Sequence, residues 1–263
     1  MRNLIFDVAF SSKDIKPNQS QVCVLVDVIR ATTAMIVMLE KGCSEIILTK
    51  DEKPQMEKHS YLSSPDTLIC AEEPEGTISK YADFSPSLSS IYEQNIKGKR
   101  ILLKTTNGTL AGLNLWKAGF RNILIGCMHN AKAVMDKAVS MALELDSNIT
   151  IVCAGRENST IAALDDAYTA GVLLKYGAKA AEANHCTPIL KDSAKMSSHL
   201  LSIYQNTKVA FENSGSGETM RRINCLEDIS ICAMENLSSI APVLSMTEDE
   251  KIQVKNVKEE VLK

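Results

Sequence analysis

The sequence predicts an α/β fold, a layered sheet of mostly parallel strands with helices on both faces, and two observations predict it. A strand, a turn and a helix follow one another three times: VCVLVDV precedes ATTAMIVMLEKG, RILLKT precedes GTLAGLNLWKAG, and NITIVCA precedes IAALDDAYTAGVLLKY. Between these units lie further short apolar runs, EIILT, TLICA and NILIG, and one strongly periodic helix, NAKAVMDKAVSMALEL. Alternating β and α elements build a sheet covered by helices.

Along the chain, MRNLIFDVAF carries a single Arg and is broken by Asp7, so it lacks the long apolar core of a secretory signal. The interval from Glu73 to Lys97, with Pro74, Gly76, Pro86 and a Ser-rich patch, reads as a long surface excursion of the kind that often carries function. After Ala178 the pattern is mostly helical, with Gly/Ser punctuation at NSGSGE that reads as a helix start before TMRR. Residues 1–245 are expected to form one large α/β catalytic unit, with the part from about 178 either packed on the sheet or set apart as a helical lobe. Residues 246–263 read as a charged C-terminal tail, a solvated helix or a frayed end.

Composition narrows the partners. Hydrophobic residues make up 45% and charged residues 23% of the 263, which is globular. A net charge of −3, with no Lys/Arg run, gives no general attraction for nucleic acid or an acidic membrane. No apolar run approaches the roughly 18 residues of a membrane span, so a cytoplasmic protein is expected. Eight cysteines without a CxxC, several inside apolar runs, are expected to be reduced and buried. A homo-oligomer is left open.

Ligands of open α/β sheets bind beyond the carboxyl ends of the strands, and that is where the polar residues fall. Asp27, Arg30, Thr32 and Thr33 follow the first strand of the repeated unit. Thr105, Thr106, Asn107, Gly108 and Thr109 follow the second, and Arg156, Glu157 and Asn158 the third. Hydroxyls and free N–H groups at a helix start suit a phosphate, and two arginines offer fork-shaped recognition of phosphate, carboxylate or sulfonate. Asp27, Glu72 and the pair Asp165–Asp166 are hard oxygen donors, better matched to Mg²⁺ than to zinc.

Each turn alone also has an ordinary structural use. Thr-Thr and Asn-Gly are common cap and turn residues, and Asp27 can simply cap a helix or pair with Arg30. Neighbouring Asp165 and Asp166 point about 100° apart on a helix, so one of them is expected to be solvated or capping. Cys153 ends an apolar strand with no His nearby and reads as core. The scattered His59, His129, His185 and His199 carry no catalytic signature. No Walker A sequence, GxSxG, or phosphatase signature built on Cys or His is present. Water activated by a metal is therefore simpler than a covalent nucleophile.

Taken in order, DVIRATT, TTNGT and CAGR followed by a DD-x-x-x-AG helix resemble the 2-phosphosulfolactate phosphatase (ComB-type) family. GCSEIIL, CMHNAKAV and LEDISICAMENL extend the likeness over nearly the whole chain. The resemblance implies an α/β fold of the family's own and Mg²⁺-dependent hydrolysis of 2-phosphosulfolactate to sulfolactate and phosphate, a step of coenzyme M synthesis. In this reading Asp27, with Glu72 and Asp166, anchors the metal, and Asp165 is the spare candidate for a base. Arg30, Thr32, Thr33, Thr105, Thr106, Asn107, Gly108, Thr109 and Arg156 would then hold a small anionic substrate. The departure is AEEPEG, with Glu73 where the family's Gly-Glu-Arg-Gly-Gly segment has Arg, and DFSP in place of an Asn-Ser-Pro turn. The rival from another class is a non-catalytic anion-binding or sensor protein of the same fold.

Overall fold

A computed structural model describes residues 2–15, 20–50 and 66–256. In chain order the elements are β1 (Arg2–Ala9), β2 (Val22–Val26), α1 (Ala31–Glu40), β3 (Glu45–Leu48), β4 (Thr67–Ala71), α2 (Leu88–Glu93) and β5 (Arg100–Lys104). Next come α3 (Gly108–Lys117), β6 (Asn122–Gly126), α4 (Ala131–Glu144), β7 (Ile149–Cys153), α5 (Leu164–Ala183) and β8 (Cys186–Leu190). The chain continues through α6 (Asp192–Ile203), α7 (Thr207–Glu212), α8 (Gly215–Arg222) and α9 (Leu226–Cys232) to β9 (Val243–Met246) and β10 (Ile252–Lys255).

The strands form one ten-stranded, mostly parallel sheet in the order β4-β5-β3-β10-β9-β6-β2-β7-β1-β8, with the helices around it. All five residues of β2 and of β7 are buried, as expected of strands covered on both faces. Burying each such Val, Leu or Ile contributes about 1.5–3 kcal/mol, so the ends of these two strands are firm anchors for the turns that follow. In register, Val26 pairs with Cys153, which brings Asp27 and Ala154 side by side.

The tail reading is corrected by β10. Ile252–Lys255 is a strand in the interior of the sheet, antiparallel to both β3 and β9, and its Gln253 and Val254 are buried. A four-residue strand with only two aliphatic residues is too short for its periodicity to show against the charges around it. Of the expected tail, residues 257–263 lie outside the described residues. Nor do the later helices stand apart: α6 packs on α5 and β1, and α9 packs on α2.

This hairpin also sets the geometry of the site. It joins a parallel set, β4-β5-β3, to a second one, β6-β2-β7-β1-β8, that runs in the opposite sense. Four interstrand spacings would hold β2 and β3 about 19 Å apart in a flat sheet. Yet a methyl group placed on Gly112 of α3 would lie 3.1 Å from Leu48 on β3, 3.3 Å from Leu244 on β9 and 3.4 Å from Leu25 on β2. The sheet therefore curls round α3. With a twist of about 20–25° per strand accumulating over the five steps from β2 to β5, the end of β5 is brought to the end of β2 although the two are not neighbours.

The excursion is more ordered than its sequence predicts. Phe84, Leu88, Ile91 and Ile96 are buried, α2 forms within it, and short bridges tie Cys70 to Phe84 and Glu72 to Ile78.

Candidate active site

The turn after β2 is fixed by its own hydroxyls. Thr32 accepts the Asp27 N–H at 3.2 Å and donates back to the Asp27 carbonyl at 3.0 Å, while Thr33 donates to the Val28 carbonyl at 2.8 Å. Both threonines are fully buried, so their hydroxyls shape the turn and do not reach a ligand. The Asp27 carboxylate lies against the N–H groups of Ala31 and Gly108, at the starts of α1 and α3. That contact requires glycine at 108: a Cβ there would sit 2.7 Å from Asp27 Oδ2 and 2.6 Å from the Ala31 methyl.

The turn after β5 closes in the same way. Thr105 and Thr109 bond reciprocally, each taking the other's backbone N–H on its hydroxyl at 3.0 Å. That leaves Thr106 and Asn107 facing outward. The Thr106 N–H donates to Glu72 Oε1 at 3.2 Å, and Asn107 Oδ1 accepts the Asn158 N–H at 3.1 Å, tying this turn to the one after β7. In that third turn Glu157, Asn158 and Ser159 all have positive φ, of 49°, 56° and 61°. Three consecutive non-glycine residues in this region are unfavourable. They are held by Ser159, which donates to the Ala154 carbonyl and whose own carbonyl accepts from Ser11.

Asp165 and Asp166 both lie in the first turn of α5 and neither is solvated, so of the solvated or capping role expected for one of them the solvated alternative is corrected: Asp165 is held by its own first-turn N–H. Asp166 accepts the Val28 N–H at 3.0 Å and the Gly155 N–H at 3.1 Å, one on each oxygen, which locks the turns after β2 and β7 together. Asp165 points toward α8, beside Ser214 and Ser216. Only 1% exposed, it has no hydrogen-bond partner on Oδ1.

Next to these turns is a cleft of about 300 Å³, which Asp27, Asp165 and Asp166 do not themselves line. Ile29, Arg30, Glu72, Thr106, Asn107 and Arg156 line it, together with Pro74 and Gly76 from the excursion and Ser216, Thr219 and Met220 from α8. A larger open groove of about 990 Å³ runs along α4 and residues 236–241, but none of the predicted site residues borders it. The smaller cleft is where the chemistry gathers.

The two arginines differ. Arg30, 4% exposed, donates from Nη1 to Asp228 at 2.9 Å and from Nη2 to Glu72 at 3.0 Å and the Gly76 carbonyl at 2.7 Å. Burial works against its charge, but Glu72 and Asp228 outweigh burial and lift its pKa above the ordinary guanidinium value. Arg156 has no carboxylate within ion-pair distance among the described residues. Its guanidinium lies over Gly215 at the start of α8: a Cβ at 215 would fall 1.8 Å from Nη1. Ser214 caps that helix by accepting the Gly217 N–H at 2.9 Å, so NSGSGE is a helix start as expected.

The aspartates share one electrostatic condition. Burial raises Asp27 well above the usual carboxylate range, helped by Glu72 and Asp165 and opposed by the Gly108 and Ala31 N–H groups. Burial, Asp165 and Asp27 do the same to Asp166 against two N–H groups. Burial raises Asp165 despite its own N–H, Ser216, Ser214 and Arg156. The Cys153 thiol is pushed up by burial and by Asp166 and Asp165, and it is fully enclosed, so it is no nucleophile.

These donors fit a hard divalent cation. Three mutually repelling carboxylates and one orphaned buried oxygen are what such an ion would relieve. Among the described residues no three acidic, His or Cys side chains form a group that could hold a metal by themselves, so an ion here would keep most of its ligands as water. Asp165 is the least committed of the four, because its Oδ1 has no partner, whereas Asp27 and Asp166 each already receive two N–H groups and Glu72 is bound to Arg30 and Thr106.

A family model described as 2-phosphosulpholactate phosphatase matches residues 9–247. The chain belongs to that family. Among its relatives, a Deinococcus radiodurans protein named "Probable 2-phosphosulfolactate phosphatase" is 28% identical over 228 residues, covering 87% of this chain and 89% of the relative. A Thermus thermophilus protein of the same printed name is 29% identical over 223 residues, 85% and 87% of the two chains. One from Clostridium acetobutylicum is 33% identical over 153 residues, 57% and 61%. The family match takes in every turn of the cleft and also α8 and α9, whose residues the sequence reading left out. Ser216 and Thr219 could have been found from NSGSGE, where two glycines make room for Arg156 and for the Phe211 carbonyl. Asp228 lies in LEDISICAMENL, one of the blocks that carry the resemblance, but nothing in that block pointed to the cleft. Among the described residues no helix is long and apolar enough to cross a membrane.

Proposed function

We propose that this protein is a Mg²⁺-dependent phosphatase that hydrolyses 2-phosphosulfolactate, or a closely related small anionic hydroxy-acid phosphate, to sulfolactate and inorganic phosphate. The family match supports the reaction class. The observation that carries the reading is the Arg156 guanidinium, without an ion pair among the described residues, in a cleft ringed by the starts of α1, α3 and α8 and close to a nest of buried aspartates. Helix starts and a free guanidinium attract anions. The aspartates would repel those anions unless neutralised.

Arg156 holds one anionic group of the substrate, with the backbone and hydroxyl of Ser216 and the outward-facing Thr106 and Asn107 beside it. Asp27 and Asp165 would hold the cation, which when bound lowers the pKa of a water and screens the phosphate charge. Asp165 would reach that cation through Oδ1, which has no other partner. Arg30 stays with Glu72 and Asp228 and builds the wall. The proposed setting is the cytoplasm and the route to coenzyme M.

The test is turnover of phosphosulfolactate by chelator-treated protein with and without added Mg²⁺, in the absence of nucleotide. Release of phosphate that requires Mg²⁺ supports the reading, and full activity in excess chelator refutes the metal. Tight sulfolactate binding without turnover would favour the sensor.

A further inference from the structure

We propose that Asp228, on α9, is a positioning residue of the cleft: through Arg30 it fixes Glu72 and the segment 72–76 that forms one wall. Its kinetic arm rests on the phosphatase reading, while its structural arm does not. Asp228 is 1% exposed, and its two oxygens have separate partners. Oδ2 accepts from Arg30 at 2.9 Å, whereas Oδ1 accepts the Leu88 N–H at 2.8 Å and the Ser87 hydroxyl at 3.1 Å, at the start of α2. From Arg30 the chain of contacts continues to Glu72 Oε2 and the Gly76 carbonyl, and from Glu72 Oε1 to the Thr106 N–H. The wall at Glu72–Gly76 and the start of α2 at Ser87–Leu88, outside the cleft, thus both return to one carboxylate that does not itself line the cleft.

Glu72 alone would neutralise Arg30. The second carboxylate adds direction, because a guanidinium gripped from two sides cannot swing toward an anion in the cleft or wrap Glu72 in a two-pronged pair. Glu72 is left near enough to Asp27 to act on its charge. Removing the Asp228 charge would let Arg30 draw Glu72 away and free the wall at 72–76.

The experiment uses the full chain carrying Asp228→Asn, Glu72→Gln, both together, or Ser87→Ala, with steady-state kinetics on phosphosulfolactate and hydrogen exchange read by mass spectrometry. Asp228→Asn is expected to lower kcat about tenfold to a hundredfold with KM changed less than about threefold. Amide exchange across residues 73–79, where Glu73 and Ser79 N–H groups bond to Thr77 and Ala71 carbonyls, should quicken at least about tenfold. Glu72→Gln cuts the same chain one link on and should quicken the same amides. The double variant should be little worse kinetically than the poorer single variant. Ser87→Ala should leave kcat and residues 73–79 unchanged. Normal protection at 73–79 in Asp228→Asn or Glu72→Gln overturns the proposal, as does unchanged kcat in Asp228→Asn or additive loss in the double variant. If the unmodified protein hydrolyses no phosphosulfolactate, the functional reading fails and the exchange data alone decide the role of Asp228.

Discussion

Gly215→Ala should raise or preserve stability while damaging activity, because the space its methyl needs belongs to Arg156. The added Cβ would lie 1.8 Å from Arg156 Nη1 and 2.7 Å from Cζ, and an ordinary contact begins near 3.4 Å, so the guanidinium must retreat by about 1.6 Å. The side chain is flexible and half-exposed, so it can move without unfolding the helix start. Alanine is also the better helix former, by up to about 1 kcal/mol in a helix interior and less at this first position. Losing one charge-assisted contact costs about 1.5–3 kcal/mol, or about tenfold to a hundredfold in kcat/KM, and a displacement of about 1 Å can have that effect. The assay is phosphate release from phosphosulfolactate alongside a thermal melt. Gly217→Ala is the contrast: its methyl would strike the Phe211 backbone carbonyl at 2.1 Å, which cannot step aside, so stability should fall. Wild-type kcat/KM in Gly215→Ala would show that Arg156 does not grip the substrate from where it lies.

Arg156→Ala should flatten a preference for phosphosulfolactate over phospholactate, which lacks the sulfonate, if Arg156 holds that group; equal losses on both substrates would assign it to the phosphate instead. Cys153→Ala should keep substantial activity in whatever fraction folds, since the thiol is fully enclosed, and complete loss with a normal melt would revive a covalent route. The aspartates predict a linked effect of pH and metal on stability. Their folded pKa values are raised, so the folded state holds protons that the unfolded chain releases near its ordinary Asp pKa of about 3.9. Their contribution therefore turns against folding as pH climbs from there toward the raised values. Mg²⁺ should lift the melting temperature more at pH 8 than at pH 5, and an equal lift would exclude the cluster as its site.

Much of the architecture was legible because each repeated strand-turn-helix unit carries its own period. What escaped depended on partners far away in the chain. The TTNGT turn announced itself as a cradle, but a buried turn must satisfy its own polar groups first. Thr105 and Thr109 are spent on each other, and Gly108 makes room for Asp27. Ile252–Lys255 looked like tail because the strands on either side of it, β3 and β9, are what make a short charged segment worth burying. Asp228 stands in LEDISICAMENL with no role assigned from sequence, and only the fold reveals that it faces Arg30.

The arginines make the same point about function. From sequence, Arg30 is the nearer to Asp27 and the natural phosphate grip, yet two carboxylates already claim it. Five acidic groups, Asp27, Glu72, Asp165, Asp166 and Asp228, gather round two guanidiniums, and only Arg156 is left without an ion pair among the described residues. A multiply charged anion cannot settle beside that excess of negative charge unless protons or a cation offset it. Substrate affinity, metal affinity and the protonation of the aspartates are therefore one coupled equilibrium. In chelated protein, binding of sulfolactate should weaken as pH rises through the raised aspartate pKa values, and saturating Mg²⁺ should flatten that dependence. Calorimetric titrations across pH would measure it directly. Affinity independent of pH without metal would mean that the anion sits beyond the reach of the aspartates, and the cleft would then lose its claim to be the site of the chemistry.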